Sequence, residues 1–237
     1  MPDVLEFPDA EHGDGWRTEP LYTISEAAHL AHVSPITVRR WLFGYAPYRR
    51  QPSRKSPPVF GGSEALSPFV SFLQLVEIVI AADFRKVSHV KLDVVRQAHA
   101  NARGEWGLEF PFAHLRLESL GGHIVHWLQR DATAPRAQAI DRPEQFGLPG
   151  LVQERIRELD YVRDLAARWY PVGKAIPIVV DPLFSSGLPT IVGRGVTVNT
   201  IYKRWKADQS INFIAGDLQL DTDLVERALQ YADKIAA

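Results

Sequence analysis

The stretch YTISEAAHLAHVSPITVRRW, residues 22–41, predicts two short helices joined by a tight turn. Thr23 and Glu26 have the spacing of a capping box, in which a hydroxyl and a carboxylate satisfy the first free N–H groups of a helix. Ser34 and Pro35 mark the second start, because serine accepts a hydrogen bond at the cap and proline loses no needed N–H in the first turn. The pattern is that of a helix-turn-helix.

The second helix of this pair is basic. Apolar residues at helical spacing define an inner face on each helix: Ala27, Ala28 and Leu30 on the first, and Val38, Trp41 and Leu42 on the second. Thr37, Arg39 and Arg40 project elsewhere, toward solvent or a partner. Two short helices with a basic second helix have the geometry that places a recognition helix in the DNA major groove.

Charge is segregated along a chain whose formal net charge is only −1. Residues 1–26 contain seven acids and one base, whereas residues 27–63 contain no acid. The bases in that acid-free segment are Arg39, Arg40, Arg49, Arg50, Arg54 and Lys55. A charge run is commonly a solvated face. This one coincides with the helix-turn-helix, so we interpret it as a surface that meets a polyanion.

A proline-rich segment, residues 46–62, follows the second helix and predicts a loop or wing, because proline and glycine at this density prevent a continuous helix. Arg49, Arg50, Arg54 and Lys55 lie on it and are predicted to contact phosphates, the sequence-independent part of DNA affinity.

These motifs resemble the N-terminal domain of MerR-type regulators. The matching residues are Tyr22, Thr23, Ile24, Glu26, Val33, Ser34, Thr37 and Arg39. Arg40 and Trp41 stand where that family usually has two aromatic residues, and the similarity continues through residues 66–98. The resemblance implies a winged helix-turn-helix that binds double-stranded DNA. Two-fold pairing would double the half-sites read, so we predict a homodimer.

The middle of the chain predicts connecting elements. Residues 90–102 predict an amphipathic helix that ends near Gly104, and residues 114–128 predict a β-hairpin around Gly121-Gly122. Residues 143–162 predict a further helix. The proline-rich break at 135–149 is the predicted domain boundary.

Candidate metal ligands and acid–base pairs lack the spacing that their chemistry needs. His123 and His126 would face opposite sides of a strand, while His29 and His32 share a helix face without a third ligand nearby. The carboxylates of Glu105, Glu109 and Glu118 form no acid–base pair, and the chain has no cysteine. We therefore predict no enzyme activity, metal or cofactor.

Four aromatic residues leave one alternative open: Trp106, Phe110, Phe112 and Trp127. They could line a small-molecule pocket, as in a stand-alone regulator that senses a hydrophobic ligand. Such residues more often form core, and that interpretation is favoured.

The C-terminal part predicts two short strands in residues 175–198 and then three helices. Thr197 or Asn199, Ser210 and Asp221 are the predicted caps. The predicted inner faces are Ile211, Ile214, Ala215 and Leu218, then Val225, Ala228, Leu229 and Ala232. The last helix carries Arg227 and Lys234 against Asp223, Glu226 and Asp233, which favours binding or dimerisation with protein over groove reading.

Residues 176–232 resemble domain-of-unknown-function family 433, which is associated with antitoxins. The resemblance rests on residues 180–182, residues 187–191, Ser210-Ile211 with Ile214, and residues 225–232. Gly193-Arg194-Gly195 has its arginine one place earlier than the family, and Asp208-Gln209 replaces the usual glycine. With its MerR-like start, the chain resembles VapB-type antitoxins that pair with PIN-like ribonuclease toxins.

The predicted fold is mainly α with small β elements. The predicted domains are an acidic segment at 1–20, a MerR-like domain and connector at 21–134, a linker and helix at 135–175, and an antitoxin-family domain at 176–237. No apolar run reaches the length of a membrane span, and the acidic N-terminus lacks a secretory pattern. The resemblance implies a cytoplasmic antitoxin that represses its own operon.

Overall fold

The computed structural model describes residues 15–45, 56–60, 67–86, 90–117 and 154–236. The helices are α1 (Gly15–Thr18), α2 (Ile24–Leu30), α3 (Pro35–Phe43), α4 (Phe72–Lys86), α5 (Leu92–Trp106), α6 (Val198–Lys206), α7 (Ile211–Leu218) and α8 (Thr222–Ala236). The strands are β1 (Tyr22–Thr23), β2 (Phe69–Val70), β3 (Leu159–Val162), β4 (Leu165–Trp169), β5 (Ile178–Val179), β6 (Thr190–Ile191) and β7 (Val196–Thr197). The predicted fold class, mainly α with small β elements, is confirmed.

The strands form three small antiparallel sheets among the described residues. β1 pairs with β2, β3 pairs with β4, and β5, β6 and β7 form a three-stranded sheet in that order. None of the described helices has the length and apolar character that crossing a membrane requires.

The first core is built around α4. Eleven of its fifteen residues are buried, so this helix is apolar on all sides and lies inside the protein. It contacts α1, α2, α5 and β4, together with a 3₁₀ turn at Pro111–Ala113. Phe112 lies at the centre of this packing, with its ring centroid 5.6 Å from that of Phe84.

The second core lies within the C-terminal three-helix unit. α8 packs against both α6 and α7, and Ile178 and Ile191 of the small sheet close one side. The predicted inner faces are confirmed for the buried residues Ile214, Ala215, Val225, Ala228, Leu229 and Ala232. Ile211 and Leu218 are partly buried against the same core.

In its described part, the predicted helix at 143–162 is wrong beyond residue 157. Residues 154–157 are helical, but the chain then forms the hairpin of β3 and β4. Arg163 and Asp164 make the two-residue turn with φ values of 51° and 65°. Positive φ at both positions suits the twist of paired strands. This turn lacks the glycine by which sequence patterns usually reveal it.

Two smaller predictions also needed correction. α5 continues through Gly104 and ends at Trp106, and the next residue, Gly107, takes the left-handed conformation with φ 63°. Residues 175–198 contain three short strands instead of two, because the chain reverses once more around Gly193 and Gly195. The predicted hairpin at 114–128 lies outside the described residues from position 118 onward.

The two cores are joined by specific contacts. Trp169 and Val180 exchange backbone hydrogen bonds of 3.0 and 2.8 Å. The buried Arg168 Nε lies 2.5 Å from Asp181 Oδ2 at the same junction. These contacts attach the β3–β4 hairpin, which itself packs on the first core, to the start of the C-terminal unit.

The end of the predicted acidic segment is part of the fold. Arg17 on α1 is fully buried and donates hydrogen bonds of 2.9 Å to the carbonyl oxygens of Val162 and Leu165. α1 is thereby held against the β3–β4 hairpin, a contact between residues more than 140 positions apart that the local charge pattern did not reveal.

Candidate nucleic-acid interface

The caps of α2 and α3 have the predicted geometry. The Glu26 N–H donates to Thr23 Oγ1 at 3.2 Å, and the Thr23 N–H donates to Glu26 Oε2 at 2.8 Å. At α3 the Thr37 N–H donates to Ser34 Oγ at 3.2 Å, and Pro35 occupies the first turn. Both helix starts are thus set by local side chains, which fixes where the exposed face of α3 begins.

The inner faces of the two helices anchor them to the first core. Ala27, Ala28 and Leu30 of α2 are buried, as are Val38 and Trp41 of α3. The Trp41 carbonyl oxygen accepts hydrogen bonds from the N–H groups of Val59 and Phe60, and these two residues follow the basic loop. α3 is therefore held on one side by apolar packing and at its end by the returning chain.

The outer face of α3 presents two exposed arginines. The Arg39 guanidinium lies 5.8 Å from the centroid of the Phe43 ring, and that of Arg40 lies 4.7 Å from the centroid of the Tyr45 ring. Neither has a carboxylate partner among the described residues. Stacking on a ring orients a guanidinium while leaving its N–H groups free to donate to an anion.

Thr37 has a different environment from the two arginines. It is half-buried, and its Oγ1 lies 2.8 Å from Ser34 Oγ, so its hydroxyl takes part in the helix cap. Ile36, one position earlier, is 53% exposed and lies on the same outer face as the arginines. Sequence reasoning missed Ile36, because an apolar residue at that spacing gives no signal of a contact surface.

The basic loop is closed at its base. Tyr45 and Ser56 exchange two backbone hydrogen bonds of 2.8 Å, so the ten residues between them leave and return at the C-terminal end of α3. Arg96 of α5 donates to Pro58 O at 3.2 Å and to Ser56 Oγ at 2.9 Å. Gly44, at φ 75°, permits the close approach, because a Cβ there would lie 2.7 Å from Ser56 O.

The four predicted phosphate contacts on the loop, Arg49, Arg50, Arg54 and Lys55, lie outside the described residues. What the structure establishes is the place of the loop's two ends, which join at the end of α3. The loop therefore starts and finishes beside the turn that carries Arg40 and Tyr45.

A hydrogen bond from Tyr22 joins β1 to the C-terminal unit. The Tyr22 hydroxyl donates to Gly187 O at 3.1 Å, and burial raises the pKa of this phenol well above its usual range.

At the turn after α2, Lys86 donates to the carbonyl oxygen of His32. Burial and the charge of Lys86 lower the pKa of His32.

Among the described residues, the fold gathers no set of candidate metal ligands. In the described ranges no group of three or more His, Cys, Asp or Glu side chains is placed to hold a metal ion. Glu105 and Glu109 are exposed, and Glu118, His123 and His126 lie outside the described residues. Among the described residues, Glu77 and His99 form an acid–imidazole contact of 2.9 Å that is buried between α4 and α5.

The aromatic residues considered for a ligand pocket are mostly core. Phe112 is fully buried, and Trp106 and Phe110 pack partly buried against the same cluster. Phe60, next to the returning end of the basic loop, contacts both Phe112 and His99 edge to face. The core interpretation is confirmed for the three described residues, while Trp127 lies outside them.

These features define a class: a mainly helical protein with two cores, in which a capped helix pair presents arginines and a three-helix unit packs behind it. Residues 178–232 match the family described as "Protein of unknown function (DUF433)", and so the C-terminal family resemblance expected from the sequence is confirmed.

Two proteins of Mycobacterium tuberculosis are similar over most of the chain. The protein named "Uncharacterized protein Rv2308" is 26% identical over 223 residues, which cover 90% of each chain. The crystal structure of Rv2018 matches with a TM-score of 0.62 at 19% identity, covering 90% of this chain and 99% of that one. At this identity, the structural likeness shows a shared fold.

Proposed function

We propose that this chain is the DNA-binding antitoxin of a type II toxin–antitoxin system, acting in the cytoplasm. In this proposal it binds its own operator as a homodimer through a MerR-like winged helix-turn-helix and represses its operon. Its C-terminal unit binds and neutralises a PIN-like ribonuclease toxin. The chain itself performs no catalysis and needs no cofactor.

The observation that carries the DNA-binding half is the outer face of α3. Arg39 and Arg40 are exposed, ring-stacked and without a carboxylate partner among the described residues, on a helix with a capped start. Guanidinium groups presented in this way suit phosphates and the acceptor edge of guanine in the major groove. The chain leaves at Tyr45 and returns at Ser56 beside them, and the sequence between these residues contains four further cations.

The support for the antitoxin half is the resemblance of residues 176–232 to an antitoxin-associated family, together with the charge of the unit. The exposed residues of α8 include three acids, Asp223, Glu226 and Asp233, against two bases, Arg227 and Lys234, so this helix has no excess of positive charge to attract a phosphate backbone. A unit with this charge distribution suits a protein partner better than a second DNA groove.

A gel-shift titration with duplex from the chain's own promoter tests the DNA-binding half. Arg39→Ala and Arg40→Ala should each weaken binding, and each lost phosphate contact should lower the slope of log affinity against log salt by about one. Arg227→Ala is the matched control, since this exposed arginine lies on α8. Unchanged operator affinity in both α3 variants would refute this assignment.

Co-expression with the neighbouring open reading frame tests the antitoxin half. The expected result is a stable complex in which the partner's ribonuclease activity is suppressed. A chain that binds its operator tightly yet forms no complex would be a stand-alone regulator, and the antitoxin proposal would then be wrong. Light scattering of the purified chain tests the homodimer independently.

A further inference from the structure

The residue of α3 that faces farthest from the first core is apolar. Ile36, the second residue of this helix, is 53% exposed. Val38 and Trp41, which follow it by two and five positions, are buried, and this spacing places them on the opposite side of a helix with 3.6 residues per turn. Ile36 therefore lies at the centre of the surface that α3 leaves open.

Two arginines flank Ile36 on this surface. Because each residue turns an α-helix by about 100°, Arg39 falls about 60° to one side of Ile36 and Arg40 about 40° to the other. Both arginines are exposed, and the guanidinium of each lies near an aromatic ring. The open face of α3 thus has an apolar centre with a cation on each side.

The start of α3 holds Ile36 in a fixed position. Ser34 Oγ accepts the Thr37 N–H, and Pro35 occupies the first turn, so the backbone around Ile36 is ordered by local contacts. An isoleucine in a helix also has one strongly preferred χ1 rotamer, which fixes the direction of its methyl groups. A side chain ordered in advance loses little entropy when it meets a partner.

The major groove of DNA offers groups that match this arrangement. Thymine displays a 5-methyl group there, between the two phosphate backbones that border the groove. The residues near the N-terminus of a recognition helix are those that contact base edges. Ile36 has that place on α3, and Arg39 and Arg40 have the chemistry for phosphate or guanine.

We infer that Ile36 is a base-reading residue, and that its side chain contacts the 5-methyl group of a thymine in each operator half-site. This inference rests on the proposed DNA-binding function and adds a sequence-specific contact to it. The contact is apolar, so it contributes to the choice of sequence without adding to the charge that attracts any duplex.

Two other occupants fit this face less well. A second copy of this chain, paired through α3 by two-fold symmetry, would bring Arg39 and Arg40 of one protomer against the same cations of its partner. A protein partner would have to supply an apolar pocket with carboxylates on both sides, whereas every A·T pair of a duplex displays a methyl group between two rows of phosphates. The acid-free sequence of residues 27–63 agrees with a polyanion.

The test uses the full chain and duplex from its own promoter in which deoxyuridine randomly replaces thymidine. Deoxyuridine keeps the hydrogen-bonding groups of thymidine and lacks only the methyl group. Bound and free duplexes are separated by gel shift and then cleaved at uracil, which shows the positions where the missing methyl group weakens binding. For the unchanged chain, a thymine in each half-site should be such a position.

A duplex synthesised with uracil at those positions then measures the contact. Each missing methyl group should weaken binding by the unchanged chain about fourfold, the value for one buried methyl-sized group. Ile36→Ala should bind the thymine duplex more weakly and should no longer distinguish it from the uracil duplex. Ile36→Val, which keeps a branched side chain of smaller size, should give an intermediate ratio.

Two further readouts separate this role from folding and from charge. Alanine has a higher helix propensity than isoleucine, so the melting temperature of Ile36→Ala should not fall. The slope of log affinity against log salt should stay unchanged in Ile36→Ala and decrease by about one in Arg39→Ala. Leu115→Ala, at another exposed aliphatic residue, is the matched control and should distinguish the two duplexes as the unchanged chain does.

Every other outcome overturns the inference. If no thymine methyl group affects binding, or if the effect persists in Ile36→Ala, Ile36 does not read thymine and the DNA-binding function stands. Equal weakening of both duplexes in Ile36→Ala would place its contact elsewhere. A dimer that becomes monomeric on this substitution would identify a self-association surface. Failure of the unchanged chain to bind the thymine duplex would remove both the inference and the DNA-binding function.

Discussion

The substitution Gly187→Ala should disrupt the contact between Tyr22 of β1 and the C-terminal unit. Gly187 lies in the loop before β6, with φ 69°, a conformation that side chains with a Cβ rarely adopt. An added Cβ would lie 2.2 Å from the Tyr22 hydroxyl oxygen and 2.7 Å from Leu21 Cδ2, so the neighbouring residues must move. The hydrogen bond from Tyr22 to Gly187 O would be broken by that movement.

The expected cost has three physical parts. A left-handed residue with a Cβ costs about 1–2 kcal/mol, and crowding in a packed interior costs about 1–3 kcal/mol. A buried Tyr22 hydroxyl left without its acceptor costs about 1–3 kcal/mol. The free energy of unfolding should therefore fall by about 3–8 kcal/mol.

Gly195→Ala is the matched control. Gly195 has nearly the same conformation, with φ 64°, but nothing lies within 4 Å of its ideal Cβ position. Its replacement should cost only the backbone part, about 1–2 kcal/mol. In a Tyr22→Phe background, which lacks the hydroxyl, the cost of Gly187→Ala should shrink by about 1–3 kcal/mol.

Urea unfolding followed by circular dichroism measures all four variants under the same conditions. If Gly187→Ala and Gly195→Ala destabilise the protein equally, the close packing of β1 against this loop does not exist. The operator affinity of Gly187→Ala is a second readout, because the loop lies behind the strand that leads into α2.

Two further predictions concern buried polar groups. Asp181→Asn removes the carboxylate that faces buried Arg168 and should lower the free energy of unfolding by about 3–5 kcal/mol. Asp217→Asn, in a half-exposed ion pair, is the control and should lower it by at most about 1 kcal/mol. Equal urea midpoints for the two variants would contradict this prediction. His114 has a pKa lowered by burial, and its Nδ1 accepts a hydrogen bond from the Arg116 N–H at 3.1 Å, so its contribution to stability should be lost as the pH falls below about 6.5. His114→Asn should flatten the dependence of the melting temperature on pH below about 6.5, and an unchanged pH profile would refute the role of His114.

The helix starts and inner faces could be predicted because their causes are local. Thr23, Ser34, Thr197 and Ser210 each cap a helix within three residues of their own position, and short sequence windows contain that information. Thr197 or Asn199 was predicted as the cap of α6. The cap is Thr197, whose Oγ1 accepts a hydrogen bond from the Thr200 N–H at 3.1 Å.

The β3–β4 hairpin and the exact members of the candidate site could not be predicted in the same way. The hairpin turn uses Arg163 and Asp164 at positive φ, and residue preference alone does not favour that conformation. Thr37 was grouped with the two arginines, but its hydroxyl contacts Ser34 within the cap. Whether a polar side chain caps its own helix or faces outward depends on a rotamer that the sequence does not encode locally.

By itself, the sequence determined where α2, α3, α6 and α7 begin, which of their sides turn inward, and that positive charge accumulates at residues 27–63, since capping, periodicity and charge counts are local properties. Only the tertiary structure decided that Arg17 is buried under the hairpin, that Tyr22 contacts Gly187, and that Trp205 and Phe213 remain exposed on the C-terminal unit. Those outcomes depend on packing between residues far apart in the chain, and side-chain burial there is set by the partner surface and not by the neighbours in sequence.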